Sequence, residues 1–148
     1  MNKEKVIPPY LDSAILNSNE IYVFGSNLNG THDLGDAKIA MTNGAVRFFY
    51  DGLQGNSYAI PFFGVNQVSL MSGTIVSYIN KFITVAAVKE NYKFFINENI
   101  GANSIHKVEE IALMFKNASY LPNVYLPEKF INIINQNKAG KNIEVTIK

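Results

Sequence analysis

The chain has 148 residues, of which 47% are hydrophobic and 17% charged, and its formal net charge is +1. This length fits one domain, and the apolar content can fill one core, which excludes whole-chain disorder and collagen-like architectures. The near-neutral charge gives no electrostatic reason to expect nucleic-acid binding. The absence of cysteine excludes disulfides, thiolate nucleophiles and Cys-ligated metal sites.

The N-terminal residues carry charges and two prolines but no apolar stretch of signal-peptide length. No later segment approaches the roughly 20 apolar residues of a membrane span. We therefore expect a cytoplasmic protein without a membrane partner.

The first predicted unit is a strand, a polar loop and a helix. Ile21 to Phe24 (IYVF) is a short apolar run that predicts a buried strand. Segment 25–36 is rich in Gly, Asn, Ser, Thr and Asp and predicts a loop. Asp36 to Met41 has helix-forming composition, and Asn43-Gly44 follows as a stop signal.

The middle of the chain predicts two strands and a long helix. Ala45 to Tyr50 is a candidate strand, and the glycine-containing turn 51–56 separates it from a second one, Ser57 to Pro61, which the proline should end. Between Ser72 and Glu90, apolar residues recur at spacings of three and four, as on one face of a helix. These residues are Ile75, Val76, Ile79, Phe82, Ile83, Ala86 and Ala87.

The C-terminal part predicts strands at Lys93 to Ile96 and Asn123 to Leu126, with the polar loop 97–104 after the first of them. A helix should follow this loop, with Asn103 or Ser104 as its N-cap. Its predicted buried residues are Val108, Ile111, Ala112 and Phe115. Pro127-Glu128 opens another helix, whose buried side is formed by Phe130, Ile131 and Ile134. The alternation over Ile143 to Ile147 predicts a final edge strand.

Strands that alternate with helices predict a single α/β domain over 1–148, with a core at about 20–136. We expect a mixed, largely parallel sheet with helices on both faces. In such sheets, ligands bind outside the carboxyl ends of the strands. The loops of functional interest are therefore 25–36 and 97–104.

The loop 25–36 follows a strand and opens a helix, where backbone amides can bind an anion. Its glycines, Gly25, Gly30 and Gly35, do not have the dinucleotide-binding spacing, and the Lys-Ser/Thr pair of nucleotide hydrolases is missing. Two interpretations stay open, a ligand loop or turns without a ligand role, because Gly and Asn are common in turns. The Gly-rich turn at 52–57 leaves the same two interpretations open.

The titratable residues do not favour a metal site, and no cofactor is expected. The two histidines, His32 and His106, have no neighbours at metal-ligand spacing. His32 can contact a ligand or act as a proton donor, although a solvated or capping role is commoner for a loop histidine. Asp33 suits the helix dipole, whereas Asp36 at the helix entrance is the better candidate for a ribose or adenine contact.

Two segments resemble a bacterial and phage group of small proteins that is similar to the macro domain, the fold that binds ADP-ribose. They are Ile21 to His32 (IYVFGSNLNGTH) and Gly52 to Pro61 (GLQGNSYAIP). The order of predicted elements over about 20–136 is also similar: strand and Asn-bearing loop, helix, strand ending in Ile-Pro, long helix, strand and Gly-bearing loop, helix, strand. The resemblance implies a three-layer α/β/α macro-like domain.

The resemblance also implies a ligand site built by two loops. Asn27 would contact the distal ribose, and Asn99, Gly101 and Asn103 would form the phosphate loop. The predicted ligand-binding residues are Gly25, Ser26, Asn27, Gly30, His32, Gly35, Gly55, Ser57, Asn99, Gly101 and Asn103. Glu98 departs from the expected pattern, because an anion beside the phosphate loop would repel a diphosphate unless its side chain points away.

Two functions are expected. The first is binding of ADP-ribose or a related nucleotide-derived molecule, with hydrolysis of ADP-ribosyl groups as its catalytic form, in which Asn27 or Asp36 positions the attacking water. The alternative is a noncatalytic protein-interaction module, encoded by a phage or mobile element. Its partner surface would include aromatic residues that are more typical of a core or cleft wall. These are Phe48, Phe49, Tyr50, Phe62 and Phe63.

Overall fold

The computed structural model describes residues 18–29 and 50–147, and only the backbone at 139–147. Within these ranges, five strands form one sheet in the order β2-β3-β1-β4-β5. The strands are β1 Glu20–Asn27, β2 Gly52–Gln54, β3 Ser57–Phe63, β4 Lys93–Ile96 and β5 Val124–Tyr125. Three helices, with a 3-10 turn at Asn117–Tyr120, complete the described fold: α1 Ser72–Val88, α2 Val108–Met114 and α3 Glu128–Ile147.

The sheet is mostly parallel. β1 pairs in parallel with β3 and β4, and β4 with β5, whereas the short β2 is antiparallel to β3. The protein is therefore a mixed α/β fold, as predicted. The predicted helix at 36–41 lies outside the described residues, and so do residues 45–49 of the strand predicted at Ala45 to Tyr50.

β1 lies at the centre of the sheet. Ile21 to Phe24 are all buried, as expected for an apolar run in a parallel strand that is covered on both faces. Tyr22 is in register with Ser57 at the amino end of the strand, and Asn27 with Phe63 at its carboxyl end. The register shifts between Ser26 and Asn27, because Phe62 of β3 has no partner on β1 there.

The main core lies on one face of the sheet, and all three described helices contribute to it. Phe82 of α1 is at its centre, with ring centroids 5.0 Å from Tyr58 and 5.5 Å from Phe94 in edge-to-face geometry. Alternate strand residues point to this face because side chains alternate along a strand. They are Ile21, Val23, Tyr58, Ile60, Phe62, Phe94, Ile96 and Val124.

The most periodic segments fold as predicted. α1 ends two residues earlier than predicted, at Val88, and β4 has the predicted bounds. The fully buried residues of α1 are Ile75, Ile79, Phe82 and Ala86, whereas Ala87 is exposed. The helix predicted at Pro127-Glu128 is also confirmed, because the Pro127 carbonyl accepts the N–H of Ile131 at 3.1 Å and thereby starts α3.

Several local predictions are wrong, among them the burial of Val108, which is 39% exposed at the start of α2. Pro61 does not end β3, which continues to Phe63. Because β2 pairs with β3 only as far as Ala59, the missing N–H of the proline costs no hydrogen bond to β2. The N-cap of α2 is Lys107 rather than Asn103 or Ser104, and its N–H donates to the Glu110 carboxylate at 3.1 Å. The final edge strand predicted at 143–147 is instead the end of α3, because an existing helix gains one hydrogen bond for each residue it adds.

Candidate functional site

The parallel strands β1, β3 and β4 end on the same side of the sheet, which we call the carboxyl edge. The segments that follow them, 28–29, 64–71 and 97–106, contact one another there. The Leu28 N–H donates to the Phe63 carbonyl at 2.9 Å, and the Asn29 side chain donates to the Val65 carbonyl. The Ile105 N–H donates to Ser69 Oγ at 2.9 Å. One surface is therefore built from three loops.

Asn97 begins the loop after β4 and is a buried structural residue. Its Nδ2 donates to Tyr22 Oη at 2.9 Å, and its N–H donates to the Val23 carbonyl at 2.9 Å. Its Oδ1 accepts the Asn99 N–H at 2.7 Å, which makes a local turn of the kind that Asn favours. Sequence reasoning missed this role, although an Asn directly after an apolar strand is a usable signal for it.

Gly25 and Gly101 allow the second loop to pack against β1. Gly101 has φ +71°, and a Cβ there would lie 2.6 Å from Phe62 Cε2 and 3.0 Å from Ile111 Cδ1. A Cβ on Gly25 would lie 3.3 Å from the Gly101 nitrogen. A side chain at Gly101 would collide with Phe62, and one at Gly25 would need its neighbours to shift, so both glycines favour close packing of the loop on β1.

The predicted residues at the carboxyl edge differ in their exposure. Asn99 and Asn103 are exposed, and Asn27 is half-buried. Ser26 is buried, and its Oγ donates to the Tyr50 carbonyl at 2.5 Å. Four further predicted residues lie outside the described ranges: Gly30, His32, Gly35 and Asp36.

The structure does not bring Gly55 and Ser57 to this site. Ser57 pairs with Tyr22, five residues before Asn27, which is roughly 16 Å along the sheet at 3.3 Å per residue. Gly55 has φ +57° at the first position of the two-residue turn between β2 and β3, as in a type II′ hairpin. Asn56, the second position, donates from Nδ2 to the Glu20 carbonyl at 3.0 Å. The turn is therefore structural, and it lies at the amino edge of the sheet.

The described residues with displaced pKa values lie beside α1. The Asp51 carboxylate accepts a hydrogen bond from Lys81 Nζ at 2.5 Å and thereby raises the pKa of Lys81. Burial, and then the charge of Asp51, raise the pKa of Tyr58. Asp51 Oδ1 and Tyr58 Oη are buried and make no hydrogen bond. The shift of Tyr58 therefore reports on packing under α1, and the shift of Lys81 reports on its ion pair with Asp51.

Exposed apolar side chains lie on two loops of the carboxyl edge. Four aliphatic side chains, each between 56% and 80% exposed, lie on the loops 64–71 and 104–106. They are Val65, Val68, Met71 and Ile105, and we call them the apolar loop surface. The aromatic surface expected for a protein partner does not form at Phe62, which is fully buried in the core, and Phe48 and Phe49 lie outside the described residues.

Within residues 18–29 and 50–147, no group of three or more metal-ligating side chains could hold a metal ion. No helix in that part of the chain is long and apolar enough to cross a membrane. No protein-family model, curated protein or solved structure matches the chain. The resemblance to the macro domain therefore stays a prediction.

Proposed function

We propose that this protein binds ADP-ribose or a related nucleotide-derived molecule at the carboxyl edge. One observation carries the proposal: β1 and β4 are adjacent and parallel, and the loop after β4 packs on Gly25. Asn27 therefore lies at the same edge as the exposed Asn99 and Asn103, and ligands of such sheets bind at this edge.

The order of the described elements supports the ligand class. β3 contains Ile60-Pro61, and the long helix α1, β4 with its Gly101 loop, α2 and β5 follow it in sequence. From β3 onwards, this is the order of elements that the resemblance to the macro domain implies, although β3 continues past Pro61. The ligand class rests on that resemblance, and the location of the site rests on the sheet topology.

The chemistry of the edge suits a neutral sugar attached to phosphate. Amide side chains such as Asn27 and Asn99 both donate to and accept from ribose hydroxyls without adding charge. α1 begins at the same edge and has no acidic residue in its first turn, so its N-terminal amides add a field that favours a phosphate. The exposed Glu98 acts in the opposite direction.

Hydrolysis of ADP-ribosyl groups is the catalytic form of this proposal. Asn27 or Asp36 would hold the water that attacks the ribosyl carbon, and the products would be ADP-ribose and the freed acceptor. Release of ADP-ribose from an ADP-ribosylated peptide, compared between wild type and Asn27→Ala, tests this step. If the wild type binds ADP-ribose but leaves the peptide modified, the function is restricted to binding.

The first experiment is thermal unfolding with ADP-ribose, AMP, NAD and ribose 5-phosphate at equal concentrations. A ligand at about 100 times its dissociation constant adds about 2.7 kcal/mol to stability, which raises the midpoint by several degrees in a domain of this size. We expect the largest rise with ADP-ribose. If none of the four compounds raises the midpoint, the proposal is wrong.

Matched variants locate the site. Asn99→Ala and Asn103→Ala remove exposed side chains, so the midpoint without ligand should stay unchanged while most of the ADP-ribose response is lost. Asn91→Ala is the control, because Asn91 is also exposed but precedes β4 at the amino edge. Equal ADP-ribose responses in all three variants would place the site elsewhere.

A second function, a protein-interaction module, is favoured by the apolar loop surface. Exposed aliphatic groups that cluster on one surface are typical of protein contacts. The Ser69–Ile105 hydrogen bond holds the two contributing loops together. Light scattering distinguishes the functions: a stable dimer that binds none of the four compounds, and becomes monomeric in Val68→Asn, would favour the module.

A further inference from the structure

His106 connects two loops of the carboxyl edge. Its side chain is only 6% exposed, and its Nε2 lies 2.7 Å from the Leu70 carbonyl oxygen. Because a carbonyl only accepts hydrogen bonds, Nε2 carries the hydrogen and the ring donates. Nδ1, on the other side of the ring, lies 4.0 Å from the Glu110 carboxylate. The imidazole therefore joins the loop after β4 to the loop after β3.

The bond from His106 closes a circuit of contacts around Gly101. On one side, the Leu70 N–H donates to the Phe62 carbonyl at 2.9 Å, and the Phe62 ring packs against Gly101. On the other side, the His106 N–H donates to Ser104 Oγ at 3.3 Å, and Ser104 Oγ donates to the Gly101 carbonyl at 2.6 Å. Every contact in this circuit restrains the position of Gly101 relative to β3.

We infer that His106 is a positioning residue for the ligand-binding loop 97–104, an inference that rests on the proposed function. The ring acts through Ser104 and Gly101, which lie on either side of Asn103 in the sequence. A loop that is already ordered binds its ligand without the entropic cost of ordering it, so restraint by His106 favours binding.

Two substitutions separate the hydrogen bond from the volume of the ring. His106→Leu fills a similar space but donates nothing, whereas His106→Gln places an amide N–H at a comparable reach. We would measure amide hydrogen exchange across the ligand-free full chain. His106→Leu should exchange about fivefold faster over 98–104, and His106→Gln should restore the rate to within about twofold of wild type.

Exchange in α1 shows whether the effect is local. A general loss of stability would accelerate exchange over 75–86 as well, whereas loss of the restraint on the loop leaves these residues unchanged. Wild-type rates over 98–104 in His106→Leu would overturn the inference. So would a glutamine variant that exchanges as fast as the leucine variant.

Calorimetric titration with ADP-ribose tests the consequence for binding. The dissociation constant should rise about fivefold in His106→Leu and return toward the wild-type value in His106→Gln. Faster loop exchange with an unchanged dissociation constant would overturn the positioning role. A wild type that binds none of the tested compounds would instead overturn the proposed function, and the exchange data would then decide by themselves whether His106 restrains the loop.

Discussion

The segments 52–57 and 97–104 have similar compositions, rich in Gly and Asn, but different roles in the fold. The first forms the hairpin turn between β2 and β3, and its Asn56 side chain binds backbone carbonyls before and within β1. The second leaves β4 at the carboxyl edge and presents Asn99 and Asn103 to solvent. Composition predicts a turn in both cases, and strand direction decides at which edge of the sheet each turn lies.

The largest expected effect is the difference in stability between alanine variants at Gly101 and at Gly55. Gly101→Ala adds a Cβ 2.6 Å from Phe62 Cε2 in a left-handed conformation, so we expect a loss of about 3 to 4 kcal/mol of unfolding free energy. Gly55→Ala places an alanine in the left-handed region, at φ +57°, and should cost about 1 to 2 kcal/mol. Denaturant unfolding measures both.

Gly73→Ala is the control for these substitutions. A Cβ there meets nothing within 4 Å, and the position is in the first turn of α1, so stability should stay the same or rise by up to about 1 kcal/mol. Equal losses for Gly55→Ala and Gly101→Ala would show that the second loop is not packed against Phe62 as described.

Asparagine variants should give opposite results in the two segments. Asn56→Ala removes hydrogen bonds to the Ser18 and Glu20 carbonyls, at 3.2 Å and 3.0 Å, and should cost about 1 to 2 kcal/mol while the ADP-ribose response is kept. Asn99→Ala should keep stability and lose most of that response. Thermal unfolding with and without ligand measures both quantities, and a weakened response in Asn56→Ala alone would reverse our assignment of the two segments.

Tyr58 lies on β3, the strand that joins the hairpin to the carboxyl edge, so its replacement tests whether stability and binding are separate. Its buried Oη makes no hydrogen bond, and Tyr58→Phe should therefore stabilise the fold by about 1 kcal/mol at pH 7 without changing the ADP-ribose response. A loss of stability in this variant would contradict the description of the hydroxyl.

The same variant should change the alkaline pH dependence. Burial and the Asp51 charge raise the pKa of Tyr58 above its unfolded value of about 10, so the folded state holds this proton more tightly. The stability that comes from this tighter proton binding is therefore fully present below pH 10. Above pH 10 the free energy of unfolding falls by roughly 1.4 kcal/mol per pH unit. Tyr58→Phe should flatten the fall in stability between pH 10 and 11, as measured by urea unfolding.

The smallest effect should come from the charge of the second loop. Glu98 is exposed, and its carboxylate would repel a bound diphosphate through water, so Glu98→Gln should strengthen ADP-ribose binding about twofold at low salt. Glu90→Gln, at the amino edge, should have no effect. An equal affinity for wild type and Glu98→Gln at low salt would place the phosphates away from this loop.

Local patterns were sufficient for several elements. The spacing of apolar residues in α1, the apolar runs of β1 and β4 and the proline before α3 all predict what the structure shows, because each depends on neighbours within one or two turns. Continuation of β3 past Pro61 and of α3 through 143–147 was not predictable in this way. Both depend on hydrogen bonds of the neighbouring backbone: the pairing of β3 with β2 in the first case, and the preceding turns of α3 in the second.

The candidate site was only partly predictable. The sequence by itself determined an α/β chain with polar loops after β1 and β4, because alternating periodicities and turn residues are written locally. Only the tertiary structure decided that Asn27 and the loop 97–104 share one edge while Gly55 and Ser57 lie at the other. Strand order and direction come from long-range pairing, and no local pattern encodes them.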